Sequence, residues 1–142
     1  YFDRINNPAL DQDPAENTKK IYQELIKKFP KSIYSKDAKK KILIANDQLA
    51  AKEMSVGRYY QKKNRHLAAI ERFKVVINDY NTTAQTPEAL YRLTESYLSL
   101  GIIGEAKKTT AVLSYNFKES NWYKLSYDLF KKYGNKKNGK QG

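Results

Sequence analysis

Residues 57–76 read Gly-Arg-Tyr-Tyr-Gln-Lys-Lys-Asn-Arg-His-Leu-Ala-Ala-Ile-Glu-Arg-Phe-Lys-Val-Val, and this stretch decides the fold. Gly57 and Tyr60 precede a polar break at Asn64, and Ala69, Phe73 and Val76 follow it at helical spacing. Thirty-seven residues on, Thr94, Tyr97, Ala106, Thr110 and Leu113 stand in the same register. Tyr60/Tyr97 and Ala69/Ala106 are direct matches, Val76/Leu113 is an acceptable one, and Thr110 departs from the aromatic at Phe73. Self-similarity at such a period marks stacked helix pairs, because a single pair cannot bury its apolar face alone.

These offsets are those of a TPR-like unit. A small residue and an aromatic sit in the first helix; an alanine, an aromatic and an apolar residue sit in the second. The period exceeds the usual ~34 residues, and the polar connection Asn81–Gln85 can absorb the surplus. Small residues let antiparallel helices approach while aromatics fill the groove toward the next repeat. The expected fold is all-α, with TPR-like antiparallel pairs stacked into an α-solenoid.

Working outward, Asp13-Pro14-Ala15-Glu16 reads as a helix start with Asp13 as N-cap, Pro14 first in the helix and Glu16 at the capping-box position. Its apolar stripe of Ile21, Tyr22, Leu25, Ile26 and Phe29 ends at Pro30. Ser35 is expected to cap one unusually long helix of about 35–63, which carries Ile42, Ala45, Leu49, Met54, Val56 and Tyr60 and ends at Asn64. A helix from about His66 to Tyr80 should bury Leu67, Ile70, Phe73, Val76 and Ile77.

Thr86-Pro87 restarts the chain by the same logic, Thr86 as N-cap and Pro87 first in the helix, with Leu90, Leu93, Tyr97 and Leu98 inward and Gly101 as a left-handed C-cap. The next helix, Gly104 to about Tyr115, directs Ala106, Ala111, Val112 and Leu113 to the core. Ser120 caps a last helix holding Trp122, Tyr123, Leu125, Tyr127, Leu129 and Phe130. Residues 1–133 thus form the repeats, and 134–142, rich in Lys, Asn and Gly, are expected to be a disordered basic tail. Tyr22, Leu25 and Pro30 occupy second-helix offsets, so the chain is expected to open inside a repeat: a partial third, then a fourth and fifth.

Composition narrows function. With no cysteine among 142 residues, disulfides, zinc-thiolate sites and thiol nucleophiles are excluded. No run approaches the roughly 20 apolar residues needed to span a bilayer. The net charge of +12 comes from 22 Lys and only 5 Arg. Phosphate and base recognition favours the arginine fork, so a solvated lysine surface is the expected reading, with a minority of cations facing an acidic partner. A basic helical-repeat module binding RNA or anionic lipid is the alternative that the charge supports. His66, the single histidine, has no partner at metal or triad spacing. Glu53, Glu71 and Glu88 scatter among lysines and form no acid–base pair. No catalytic, cofactor-binding or metal-binding constellation stands out, so a non-enzymatic protein without cofactors is expected.

Asp47-Gln48-Leu49-Ala50-Ala51-Lys52-Glu53-Met54-Ser55-Val56-Gly57-Arg58-Tyr59-Tyr60 resembles the BamD family of outer-membrane assembly lipoproteins. So do Leu67-Ala68-Ala69-Ile70-Glu71-Arg72-Phe73 and Thr86-Pro87-Glu88-Ala89-Leu90-Tyr91-Arg92-Leu93, and Ser120-Asn121-Trp122-Tyr123 fits its alphaproteobacterial members. The likeness runs from Tyr1 to about Tyr127. It implies five TPR-like repeats at the periplasmic face of the outer membrane, anchored by an N-terminal lipidated cysteine that this chain lacks. In the family the first repeats are linked to unfolded outer-membrane proteins, and the later ones hold the last POTRA domain of BamA. The present residues correspond to that BamA-binding half, with other lipoproteins of the BAM complex as further partners and no nucleic acid expected. Arg72 falls where the family places an arginine that pairs with an acidic POTRA residue. Lys63 and Arg65, on the turn before it, are expected to complete a basic edge facing BamA.

Overall fold

A computed structural model describes residues 14–28 and 33–141. Among these the chain forms six helices and no strand: α1 (Pro14–Lys28), α2 (Ile33–Lys62), α3 (His66–Asp79), α4 (Thr86–Ser99), α5 (Ile103–Asn116) and α6 (Asn121–Gln141). Two compact units meet inside α2, Tyr1–Ala51 and Lys52–Gly142.

In the first unit, α1 carries Glu16 in its first turn and Lys27 and Lys28 in its last, the signs that complement a helix dipole. None of its residues is fully buried. Asp13, Phe29 and Pro30 lie outside the described residues. The long helix is present, but it begins at Ile33, so Ser35 stands within it rather than capping it. Ala38, Ala45, Leu49 and Ala50 are its buried positions in this unit.

The second unit holds the repeat. Helix α3 packs on α4, α4 on α5, and α6 returns against both α4 and α5. The 37-residue register extends to the caps. Helices α3 and α5 have equal length and begin and end 37 residues apart. The turns before them are the same structure twice. Asn64 and Gly101 both take positive φ, 60° and 76°. Around Asn64, the Arg65 amide donates to the Tyr60 carbonyl at 2.9 Å and the Asn64 amide to Gln61 at 3.0 Å. Around Gly101, Ile102 donates to Tyr97 at 2.8 Å and Gly101 to Leu98 at 3.0 Å. Each is a Schellman motif, which satisfies the helix's last carbonyls and reverses the chain within four residues. Asn and Gly are the residues that tolerate the left-handed conformation required there.

Core packing explains the repeat's departure at Thr110. Gly57 lies against Phe73 so closely that a Cβ on it would sit 2.4 Å from the Phe73 ring. In the next repeat Thr94 replaces Gly57 and Thr110 replaces Phe73, and their hydroxyl oxygens lie 3.3 Å apart. One pair is smallest-with-large, the other medium-with-medium. Thr94, fully buried, also bonds the Leu90 carbonyl at 2.9 Å and Thr109 at 2.7 Å, so the polar swap leaves no orphan hydroxyl.

Several inward assignments need correction. Leu67 is 70% exposed. The buried face of α3 is Ala69, Ile70, Phe73 and Val76, and Leu67 lies roughly 120° round the helix from its centre. In α5 only Ala106 and Leu113 are buried, while Ala111 and Val112 point outward on the far side. In α6 the inward stripe is Trp122, Tyr123, Ser126, Leu129 and Phe130, which leaves Leu125 and Tyr127 exposed. Thr86 is the first helical residue rather than the cap. Its hydroxyl donates to the Asn81 carbonyl at 3.1 Å and so ties down the connection before it. Ser120 does cap α6, its Oγ accepting from the Trp122 amide at 3.1 Å. Finally, α6 continues to Gln141 where a disordered tail from Gly134 is expected. Lysine and glutamine are good helix formers, and each interior glycine costs only ~1 kcal/mol.

Candidate docking face

Arg72 projects from α3 beside inward-facing Phe73, and its side chain is 44% exposed. Its Nη1 donates to both carboxylate oxygens of Glu53 on α2, at 3.2 and 3.5 Å. The guanidinium has five N–H donors in a planar fork, so this pair orients the group without exhausting it. Lys63 and Arg65 flank Asn64 in the turn, both exposed. The Lys63 ammonium lies 5.8 Å from the centre of the Tyr59 ring. Arg65 is the N-cap residue of α3, outside the helix proper, and its carbonyl accepts the first helical bond from Ala69 at 3.0 Å. Two of the three cations therefore share one turn, and Arg72 stands two helical turns further on.

Behind this edge lies a polar network that sequence reasoning missed. Arg58 on α2 donates through Nη1 to both oxygens of Glu88 on α4, at 3.2 and 3.1 Å. Arg92 bonds Glu88 through Nε at 3.1 Å and Glu95 through Nη1 at 2.9 Å. The guanidinium of Arg92 also lies over Tyr91 and Trp122, at 5.4 and 5.8 Å, and those rings are 5.3 Å apart. Burial lowers the basicity of Arg92, but the hydrogen bond and charge of Glu95, then those of Glu88, outweigh it and the net shift is upward. Tyr91 is pushed up to about 12, first by burial and then by the negative charge of Glu95. The i, i+4 and i, i+3 spacing of Glu88, Arg92 and Glu95 was a signal available in the sequence. The Arg58–Glu88 link, across 30 residues, was not.

A second pin joins the two turns. Ser96 Oγ accepts from Gln61 Nε2 at 3.0 Å and lies 3.0 Å from His66 Nδ1. His66 has a structural partner, as its isolation in the sequence suggests. Gln61 also donates to the Arg92 carbonyl at 3.1 Å. The pairs 58–88 and 61–92 advance together, so α2 and α4 run parallel, as first helices of successive repeats do.

Among the described residues, no cluster of His, Asp or Glu could hold a metal ion, and no helix is long and apolar enough to cross a membrane. An open groove of about 360 Å³ on α6, lined by Tyr123, Lys124, Tyr127 and Asp128, presents no nucleophile–base pair. What the geometry offers is an exposed arginine held by Glu53 and two exposed cations on the turn before it.

Known proteins agree with such a scaffold. The profile of the YfiO family, described as outer membrane lipoprotein, matches residues 1–113. The protein named outer membrane protein assembly factor BamD of Rickettsia prowazekii is 47% identical over 95% of this chain and 54% of its own length. The Caulobacter vibrioides protein of that name is 46% identical over 91% of this chain and 42% of its own. That of Neisseria meningitidis serogroup A is 37% identical over 78% and 42%. The chain thus spans about half the length of the curated relatives it matches. With four-fifths of its residues under the profile and two such relatives near half identity, the chain belongs to the YfiO family of outer membrane lipoproteins.

Proposed function

We propose that this chain is the BamA-docking half of an outer-membrane protein assembly factor, a non-catalytic scaffold at the periplasmic face of the outer membrane. The observation that carries the reading is the match along nearly the whole chain to proteins named outer membrane protein assembly factor BamD. The geometry supports it. Arg72 is exposed and oriented by Glu53, with Lys63 and Arg65 on the preceding turn. A pre-oriented guanidinium loses less side-chain entropy when a partner carboxylate arrives. The last POTRA domain of BamA supplies that carboxylate, and the output is positioning: BamA is held while outer-membrane proteins are inserted. Other lipoproteins of the complex and unfolded outer-membrane proteins are further partners of the assembled whole.

The test is calorimetric titration of the isolated BamA periplasmic region with the wild-type chain and with Arg72→Glu. Reversing a desolvated charge costs about 2–5 kcal/mol, enough to abolish measurable binding. Because the variant also repels Glu53, Glu53→Gln serves as control; it keeps the cation and loses only the ion pair that orients it, so it should bind somewhat more weakly than wild type and far more tightly than Arg72→Glu. Unchanged affinity in Arg72→Glu removes Arg72 from the interface. Salt-dependent binding to generic oligonucleotides, with no affinity for POTRA domains, would replace this reading with a nucleic-acid one.

A further inference from the structure

The two Schellman turns are structurally equivalent but chemically opposite. The first, at Asn64, carries Lys62, Lys63 and Arg65. The second, at Gly101, carries Leu100 and Ile102, which are 41% and 39% exposed. Leu67, just past the first turn, is 70% exposed. Gln61 and His66 meet on Ser96, so the two turns are pinned on one edge of the repeat. No carboxylate occurs in residues 62–68 or 99–104. None of the three apolar side chains belongs to the buried core.

We infer that this edge is a composite docking strip for a protein segment that presents carboxylates beside at least one apolar side chain. The inference rests on the docking reading above and says where the apolar part of that interface lies. Cations alone give steering and register; affinity comes from apolar anchors desolvated at the centre of an interface. Lys62, Lys63 and Arg65 meet the partner's carboxylates, and Leu67, Leu100 and Ile102 receive its apolar side chain. The occupant is a protein rather than a lipid surface because Leu100 and Ile102 are more than half covered. Side chains sunk that far receive a neighbour but do not project into acyl chains. Nucleic acid would engage the cations and leave the apolar half bare.

The experiment uses the whole chain and the BamA periplasmic region, with binding measured at low and high salt. Leu67→Ser/Leu100→Ser/Ile102→Ser should keep its far-UV circular dichroism, since Leu67 is largely exposed and neither Leu100 nor Ile102 is fully buried, and should bind roughly tenfold weaker or worse at both salt concentrations. Lys62→Gln/Lys63→Gln/Arg65→Gln should instead flatten the salt dependence. Tyr115→Ser, at an 89% exposed position elsewhere, should bind as wild type. An apolar triple variant with wild-type affinity overturns the strip while leaving the docking reading intact. Failure of the wild-type chain to bind at all overturns both. Wild-type chain that sediments with vesicles of anionic phospholipid, and a triple variant that does not, reassigns the edge to a membrane and overturns the protein occupant.

Discussion

Replacing Gly57 by alanine adds a single methyl group, and the structure says where it must go. That carbon would stand 2.4 Å from Phe73 Cε1 and 2.8 Å from Cδ1 and Cζ. Comfortable carbon–carbon contact begins near ~3.5 Å, so about 1 Å of separation has to be found. Phe73 has no exposed surface and cannot swing into solvent. The helices must part or the ring must leave its rotamer, and overpacking of this kind costs about 1–3 kcal/mol. Against it stands the gain of about 1 kcal/mol from removing a glycine inside a helix. The expected net loss is about 0–2 kcal/mol, a fall of up to roughly 1 M in the urea midpoint followed by far-UV circular dichroism. A second substitution locates the cause. In a Phe73→Leu background the shorter side chain leaves room, so adding Gly57→Ala should cost little or nothing, with a coupling of about 1 kcal/mol or more between the sites. Additive effects in the double variant would falsify the claim that this contact sets the helix spacing.

Gly101 and Gly104 form a natural contrast, since a Cβ on either meets nothing within 4 Å. Gly101→Ala should lose about 1–2 kcal/mol because of its φ of 76° alone, whereas Gly104→Ala inside α5 should gain up to about 1 kcal/mol; equal shifts in urea midpoint would refute the assignment of the turn. Ser126→Ala should be neutral or stabilising by about 1 kcal/mol, because the Ser126 hydroxyl is buried with no hydrogen-bond partner; a clear loss in melting temperature would reveal one. Tyr91 should be the late-titrating tyrosine, ionising near 12 in an ultraviolet difference titration against Tyr91→Phe. The raised value means that the unfolded chain releases this proton first, so Tyr91 withdraws stability as pH rises from about 10 toward 12 and is without effect below that window. A difference titration centred near 10 would place Tyr91 in solvent.

The sequence could announce the repeat because its strongest signals are local. Asn64 and Gly101 mark stops through backbone conformation, which depends on the residue itself. Ala69, Phe73 and Val76 show the inward face because they recur at helical spacing, although Leu67 near the start of the same helix misled that reading. Helices α5 and α6 were harder. Their apolar residues run round more than one face, as Ala111-Val112-Leu113 and Trp122 through Tyr127 do, and only neighbours in space decide which are covered. Around the candidate docking residues, side-chain direction was legible in the sequence and pairing was not. Arg72 could be placed outward from Phe73 by spacing, but its partner Glu53 lies 19 residues back on another helix. The same limit hid the Arg58–Glu88 link and the pin on Ser96. Thr86 misled for a further reason: a Thr-Pro pair signals a helix start in either of two registers, and the hydroxyl's bond to Asn81 selects the one where threonine is already helical.

The paired substitutions bear on how such a scaffold acquires a binding face. Gly57 with Phe73 and Thr94 with Thr110 fill one site in two ways, while the flanking caps keep their backbone conformation 37 residues apart. Helix spacing is therefore held by the combined volume of a pair, and neither member is fixed alone. The turns are under a different constraint. A Schellman motif demands a left-handed residue at one position and places almost no demand on the side chains beside it. Lys63 and Arg65 at one turn and Leu100 and Ile102 at the next use that freedom in opposite senses on identical backbones. Core pairs that compensate each other keep the edge straight, and unconstrained turn positions write chemistry along it. Substitutions at exposed turn residues such as Arg65 or Leu100 therefore require no repacking at Phe73 or Thr94.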